Sequence, residues 1–404
     1  MTDTHDPQAG SQQATVKGKR LQVAMLTSVG DRCGIAAYTR SLIESLDEFV
    51  DVTVEPIHEG RQSQEHYEDQ AERLNRADVV HIQHEHSFWG GIMPNHSAFW
   101  NLRYLIKKPV VITAHTTTSL RNLLKVSTER RPLHRIAKEL LIRRRAYRES
   151  VETAPFITSR CIVHTREGGE ELISRGANGK YIHVIPAGVP EPLKAENSGR
   201  QFLEQAAPYK RIIALFGYIA PNKGYELAFD SLSRLPDDDA LFIAGGARNE
   251  DMIPYESEIK SQIARRGLDK RVFITGFLSE PQVAEMMAAS SIVIAPHTIA
   301  TGSYSIMIPL SYGKAIVSSN LACFREINDQ VRCMELFKAG DSNDFAEALN
   351  RVLTNDSKRE EMERLAADYA QSHSWREVAK RTVEVYHESI ADVKRLGHHM
   401  MAAS

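Results

Sequence analysis

Short apolar runs alternate with helix-length stretches along nearly the whole chain, and this alternation limits the fold more than any other feature. LQVAMLT (from Leu21), DVTVEPI, DVVHIQ, PVVITAH, RCIVHT and YIHVIP form a first series. RIIALFGYI (from Arg211), ALFIAGG, RVFITGF, SIVIAPH and AIVSSN form a second. Runs that are apolar throughout fit strands buried on both faces, so each series predicts a parallel sheet with helices on either side. The stretch from Glu191 to Lys210 has Pro, Gly, Asn and Gln and no strand pattern, which makes it the interdomain linker. The expected fold class is α/β, two Rossmann-like doubly wound domains in tandem. Such domains open their crevices at the carboxyl ends of the strands, so both sets of loops are expected to face one cleft.

The boundaries expected are a disordered tail over 1–20, a first domain over 21–195, a second over 205–373 and a terminal helix over 374–395. A net charge of -2 on 404 residues carries no global footprint for nucleic acid. Cys33, Cys161, Cys323 and Cys333 are widely spaced, which fits a reducing cytosol better than a disulfide framework or a zinc ribbon. No apolar run approaches the roughly 20 residues that span a bilayer. A cytoplasmic protein is expected, with peripheral contact to the inner membrane face left open. That contact would run through the basic segment from Arg130 to Arg148. There Leu133, Ile136, Ala137, Leu140 and Tyr147 share a helical face, which suits either the core or a membrane surface.

The loops after the strands carry the residues with chemistry. In GDRCG, Gly30 and Gly34 let backbone N–H groups approach an anion at a helix start, or they serve a plain turn. HIQHEHSFWGG brings His84, Glu85 and His86 to a strand end. His84 and His86 share a strand face, but no third ligand follows at a zinc spacing, so acceptor or sugar contact is preferred and no metal is expected. His115 ends VVITAH, where a ligand contact competes with a buried structural role. Lys223, in FGYIAPNKG, stands just before a helix, where a cation opposes the helix dipole and an anionic ligand would offset the conflict. HTIATGSYSIMIPLSYGKAIV runs from a polar loop into an apolar helix. Ser303, Tyr304 and Ser305 can hold a phosphate there, or a serine can simply cap the helix. G-x-S-x-G, Walker A and HExxH patterns are absent, which removes the usual support for hydrolase, P-loop and zinc-protease readings.

In order and spacing these segments resemble retaining glycosyltransferase family 4, of GT-B architecture, from about Leu21 to Tyr386. GIAAYTRSL resembles the family's first glycine-rich loop and PVVITAHTT its third core strand, with His115 on the active-site histidine. FGYIAPNKG resembles the donor-phosphate segment, with Lys223 on the phosphate-binding lysine. VFITGFLSEPQVAEMMAASSIVIAP resembles the nucleobase-side loop and next strand. SHSWREVAKRTVEVYHES resembles the terminal helix that crosses back to the first domain. Two departures stand out. Tyr218 replaces the arginine usually paired with the lysine. The usual pair of glutamates is absent, and the stretch holds Ala300, Ser303 and Ile308 instead. It resembles a branch lacking that pair.

The resemblance implies transfer of a hexose from a nucleoside-diphosphate sugar to an acceptor hydroxyl, with retention at the anomeric carbon and no metal or other cofactor. It places His115 and Lys223 at the reaction. Gly34, Tyr218, Phe277, Leu278, Ser303, Tyr304 and Ser305 fall on the donor side, and Arg32, His84, Glu85 and His86 on the acceptor side. The partners implied are a nucleotide sugar and an acceptor that is a saccharide, lipid-linked or a small molecule. A non-catalytic GT-B scaffold is the alternative favoured by the two departures. A sugar-nucleotide epimerase ranks last, since Glu85 is its one acidic candidate.

Overall fold

The first series of runs forms β1 (Gln22–Thr27), β2 (Asp51–Pro56), β3 (Val79–His84), β4 (Val110–Ala114), β5 (Arg160–Val163) and β6 (Ile182–Val184) in a computed structural model of the chain. The structure describes residues 19–30, 33–92, 97–125, 131–193, 204–300, 302 and 304–402. These six strands are parallel, in the order β2-β1-β3-β4-β5-β6. The second series forms β7 (Arg211–Phe216), β8 (Asp239–Ala244), β9 (Val272–Ile274), β10 (Ile292–Ala295) and β11 (Ile316–Ser319). With β12 (Met334–Phe337) these make a second parallel sheet, ordered β12-β11-β10-β7-β8-β9. Strand order reverses between β1 and β3 and again between β7 and β10, which opens a crevice at the carboxyl ends of those strands.

β3, β4, β5, β8, β10 and β11 are buried at every position, which explains their apolar stretches. β12 departs from that pattern. It is an edge strand, and its Glu335 faces Arg351 and Lys358, each 2.7 Å away.

The chain crosses between the domains twice, and the crossings meet. The backbone N–H of Val189 donates to His373 O at 2.8 Å. From there the helix Trp375–Ala402 runs back over the first domain. Tyr386 Oη lies 2.7 Å from His81 Nδ1, and Arg381 donates to Val184 O at 2.6 Å. Arg160, 5% exposed, pairs with Asp392 at 2.8 Å and with Glu388. A buried guanidinium held by two carboxylates from another element fixes where that element lies, because moving either partner strands a charge in the interior. One apolar cluster runs across both domains and includes Tyr38, Leu42, Ile306 and Tyr386.

The basic segment differs from the single amphipathic helix its sequence suggests. It forms two helices, Pro132–Arg143 and Arg145–Arg148, broken at Arg144 where ψ is 115°. Tyr147 therefore leaves the stripe, and Leu133, Ile136 and Leu140 are exposed and do not enter the core.

Candidate active site

The strand ends of the two domains enclose a cleft of about 720 Å³. On the first domain, the helix Gly34–Leu46 begins at this cleft after β1. Cys33, its N-cap, makes no side-chain capping bond, so among the described residues no side chain caps the first-turn amides. A Cβ placed on Gly34 would meet nothing within 4 Å, so a ligand can reach this backbone. Helix starts of this kind favour anions.

His115 follows β4 and lies on the same cleft. Its Nε2 is 2.8 Å from Gln83 Oε1, and its Nδ1 is 3.4 Å from His164 Nε2. His164 Nδ1 in turn lies 3.1 Å from Ile185 O. Burial first, then the neighbouring His164, holds His115 well below the usual histidine range, and burial also lowers His164. Both rings are therefore neutral near pH 7. Set in series between two oxygen acceptors, two neutral imidazoles carry one proton fewer than the hydrogen bonds they line up. Tyr38 packs against both rings, with centroids 5.0 Å away in each case.

Glu85, at the end of β3, also lines the cleft. Burial raises its carboxyl, opposed by a hydrogen bond from the Thr116 hydroxyl and by the charge of Arg248. Arg248 comes from the second domain, and its guanidinium reaches to 3.8 Å from Cys33 Sγ.

On the second domain, Lys223 ends a single helical turn, Pro221–Lys223, just before the helix Tyr225–Leu232. It is 9% exposed. Its Nζ lies 2.9 Å from His297 Nε2 and 3.1 Å from Ser305 Oγ. Burial, with the Lys223 charge as the next cause, keeps His297 well below its usual range, so both partners are neutral. Burial brings the Lys223 ammonium down to about 8. A buried cation with neutral partners favours an anion in the cleft. A diphosphate binds the protonated form better and so raises this pKa. Affinity for a nucleoside diphosphate is therefore expected to fall as pH rises through about 8, by up to roughly tenfold per pH unit. Calorimetric titration across that range checks this; a flat profile would remove Lys223 from the anion site.

The remaining expected residues divide. Tyr218 and Phe277 form an aromatic corner, with centroids 5.6 Å apart at 60°, and Leu278 lies on the same cleft. Ser305 contacts Lys223, and Tyr304 turns toward the first domain, where its Oη is 3.4 Å from Ser41 Oγ. The apolar helix expected over SIMIPLSY, from Ser305, is shorter than that run. One 3-10 turn, Tyr304–Ile306, leads into Met307–Ser311. Arg32 and Ser303 lie outside the described residues.

His84 and His86 are corrected. His84 is fully buried, its ring edge-on to Phe99 at 5.3 Å and Phe156 at 5.1 Å. His86 is 3% exposed, and burial pushes it down to about 4. Both belong to the aromatic packing beneath the sheet end and do not line the cleft. Among the described residues no group of three His, Cys, Asp or Glu is gathered for a metal.

His164, Arg248 and Glu326 on the cleft, and His297 beside Lys223, were not singled out from the sequence. His164, Arg248 and His297 follow β5, β8 and β10, so the strand-end rule that selected His115 also finds them. Glu326 had no local signal. Its carboxylate accepts the backbone N–H groups of Arg166 at 2.7 Å and Glu167 at 3.0 Å, capping a first-domain helix from across the cleft.

Two doubly wound domains around one cleft, with a returning terminal helix, define the GT-B fold. HepE of Anabaena, solved with UDP and glucose, superposes with a TM-score of 0.69 at 16% identity, over 91% of this chain and 100% of that one. Sucrose-phosphate synthase of Thermosynechococcus elongatus gives 0.66 at 16% identity, over 92% and 100%. Residues 201–368, less than half of the chain, match the model of glycosyl transferases group 1. A phosphatidyl-myo-inositol mannosyltransferase of Mycobacterium leprae is 28% identical over 187 residues, 45% of this chain and about half (47%) of that protein. A D-inositol 3-phosphate glycosyltransferase of Paenarthrobacter aurescens is 24% identical over 332 residues, 79% of this chain and 77% of that one.

Proposed function

We propose that this protein moves a hexose from a nucleoside-diphosphate sugar to an acceptor hydroxyl, with retention at the anomeric carbon. One observation carries the reading: a buried lysine whose partners among the described residues are neutral stands across the cleft from a helix start that no described side chain caps. The bond from the anomeric carbon to the diphosphate breaks, and the pair of electrons leaves with the diphosphate. The acceptor oxygen bonds to the anomeric carbon on the same face, and the hydroxyl proton passes to the departing diphosphate. Lys223 and the amides near Gly34 stabilise that charge as it develops. Positive charge builds at the anomeric carbon at the same time. The neutral His115 can hydrogen-bond the sugar there without repelling that charge, which an imidazolium would do. Tyr218 and Phe277 offer flat apolar faces for the base. The fold's likeness to HepE, solved with UDP and glucose, and the printed activities of the mannosyl and inositol-phosphate relatives support a nucleotide-sugar donor. A charged donor of this kind belongs to the cytosol.

Fixed lysine and amide charges take the place of a metal in this scheme. Released nucleoside diphosphate, measured with UDP-, GDP- and ADP-sugars plus a polyol acceptor, is therefore expected to survive EDTA unchanged. Loss of release on chelation, with recovery on manganese, rejects the metal-free scheme. No release with any donor favours the scaffold alternative.

A further inference from the structure

We propose that the helix Pro132–Arg143 lies on an anionic lipid bilayer and holds the protein against it. Its burial is inverted for a surface helix. Ile142 is buried, while Leu133, Ile136 and Leu140 are 79%, 53% and 55% exposed. At about 100° per residue, Leu133, Ile136 and Leu140 fall within an arc of about 60°, and Ile142 falls on the opposite side. The helix is thus anchored through Ile142, which packs with Leu120, Leu124 and Val151, and it turns an apolar stripe to solvent. Three large apolar side chains at this spacing form one strip, which sets them apart from the scattered exposed residues any surface carries.

The net charge of the segment selects the occupant. Arg131, Arg135, Lys138 and Arg143 lie on or beside the helix outside the arc of the strip, and Arg144, Arg145 and Arg148 follow. Glu139 pairs with Arg135 at 3.6 Å and Glu149 with Arg145 at 2.7 Å, which leaves the segment strongly positive. A second copy of this helix would set cations against cations, which like-charge repulsion opposes. A bilayer with anionic headgroups takes the apolar strip into its acyl boundary and the cations at its surface. Among the described residues no helix is long and apolar enough to cross a membrane, so the contact is one of lying on the surface.

The strip also stands close to the chemistry. Leu123, on the helix Leu120–Lys125 against which Ile142 packs, lines a cavity of about 230 Å³ together with His115, Lys223 and His297. One helix thus separates the lipid surface from the cleft, so the acceptor hydroxyl is carried on a lipid; this consequence rests on the transfer reaction proposed above.

The test is co-sedimentation of the full chain with vesicles of phosphatidylcholine alone, and with vesicles about one third phosphatidylglycerol. Binding is expected to the second only, at about 0.05 M salt, and to fall away by about 0.5 M. The Ile136→Glu/Leu140→Glu variant alters exposed positions, so it should keep its melting temperature and nucleotide affinity while binding vesicles at least about tenfold more weakly. No binding, equal binding to neutral vesicles, or undiminished binding by the variant overturns the proposal. So does a dimer, seen by ultracentrifugation, that the variant splits. Nucleotide affinity is read separately, so failure of the lipid surface and failure of the transfer reading are distinguishable.

Discussion

Lys223→Ala is expected to lower kcat by about 10²–10³-fold while leaving the fold intact, since a fixed charge aimed at a developing oxyanion is worth that much in a dry site. The fold should survive because the lysine is a cost to it. Burial already lowers its ammonium to about 8, and alanine removes a desolvated charge. Lys223→Arg is not expected to restore activity. Nζ sits 2.9 Å from His297 and 3.1 Å from Ser305, in a pocket shaped for a compact ammonium, and the planar guanidinium needs a different geometry. Steady-state kinetics with a saturating donor, beside a urea melt of each variant, separates the two effects. Wild-type kcat in Lys223→Ala would remove the lysine from the reaction.

Gly224→Ala is expected to cost about 3–4 kcal/mol of stability and to abolish most activity. Gly224 has φ 74°, and a Cβ there would stand 1.9 Å from the carbonyl oxygen of Pro296. The left-handed conformation alone costs an alanine about 1–2 kcal/mol. The collision is with backbone, so the loop after β7 must move away from the loop after β10. Two hydrogen bonds then open, Thr298 N–H to Asn222 O at 2.9 Å and Asn222 Nδ2 to Ile299 O at 3.0 Å, each worth about 0.5–1.5 kcal/mol. The same movement draws Lys223 from His297, because the two residues sit on the separating loops. Gly267→Ala is the control. Its φ is 66° but its Cβ would meet nothing within 4 Å, so only the conformational cost of about 1–2 kcal/mol remains. Equal melting midpoints for the two variants would show that close approach at Pro296 does not matter.

What was legible in the sequence follows from which forces act locally. β1, β3, β4, β5, β7, β8, β10 and β11 are readable because inner strands covered on both faces are mostly apolar, and the edge strands β2, β6 and β9 are readable because they keep short runs of Val, Ile and Phe. β12 was missed because it is only four residues long and Glu335 interrupts it. That His115 and Lys223 line the cleft was legible because a strand end fixes where along the sheet a residue lies. The same rule misplaced His84 and His86, since it gives height along the sheet and not the direction of the side chain. His84 points into a pocket of Phe99 and Phe156 formed by distant helices. Glu326 was illegible for a related reason. Its partners, the amides of Arg166 and Glu167, lie 160 and 159 residues away in sequence and in the other domain. Only the relative placement of the two domains brings them together. The outward strip on Pro132–Arg143 was visible as an amphipathic pattern, but the side it turns to solvent depends on the anchor at Ile142.

The central claim is that the cleft binds a nucleoside diphosphate through Lys223. Calorimetric titration of UDP, GDP and ADP into the wild-type chain and into Lys223→Ala, near pH 7, tests it most directly. At least one nucleotide is expected to bind the wild type, and to bind the variant roughly tenfold or more weakly, the loss of about 1.4 kcal/mol or more that one charged hydrogen-bonding partner supplies. Failure of all three to bind the wild type, or equal affinity for the two chains, would contradict it.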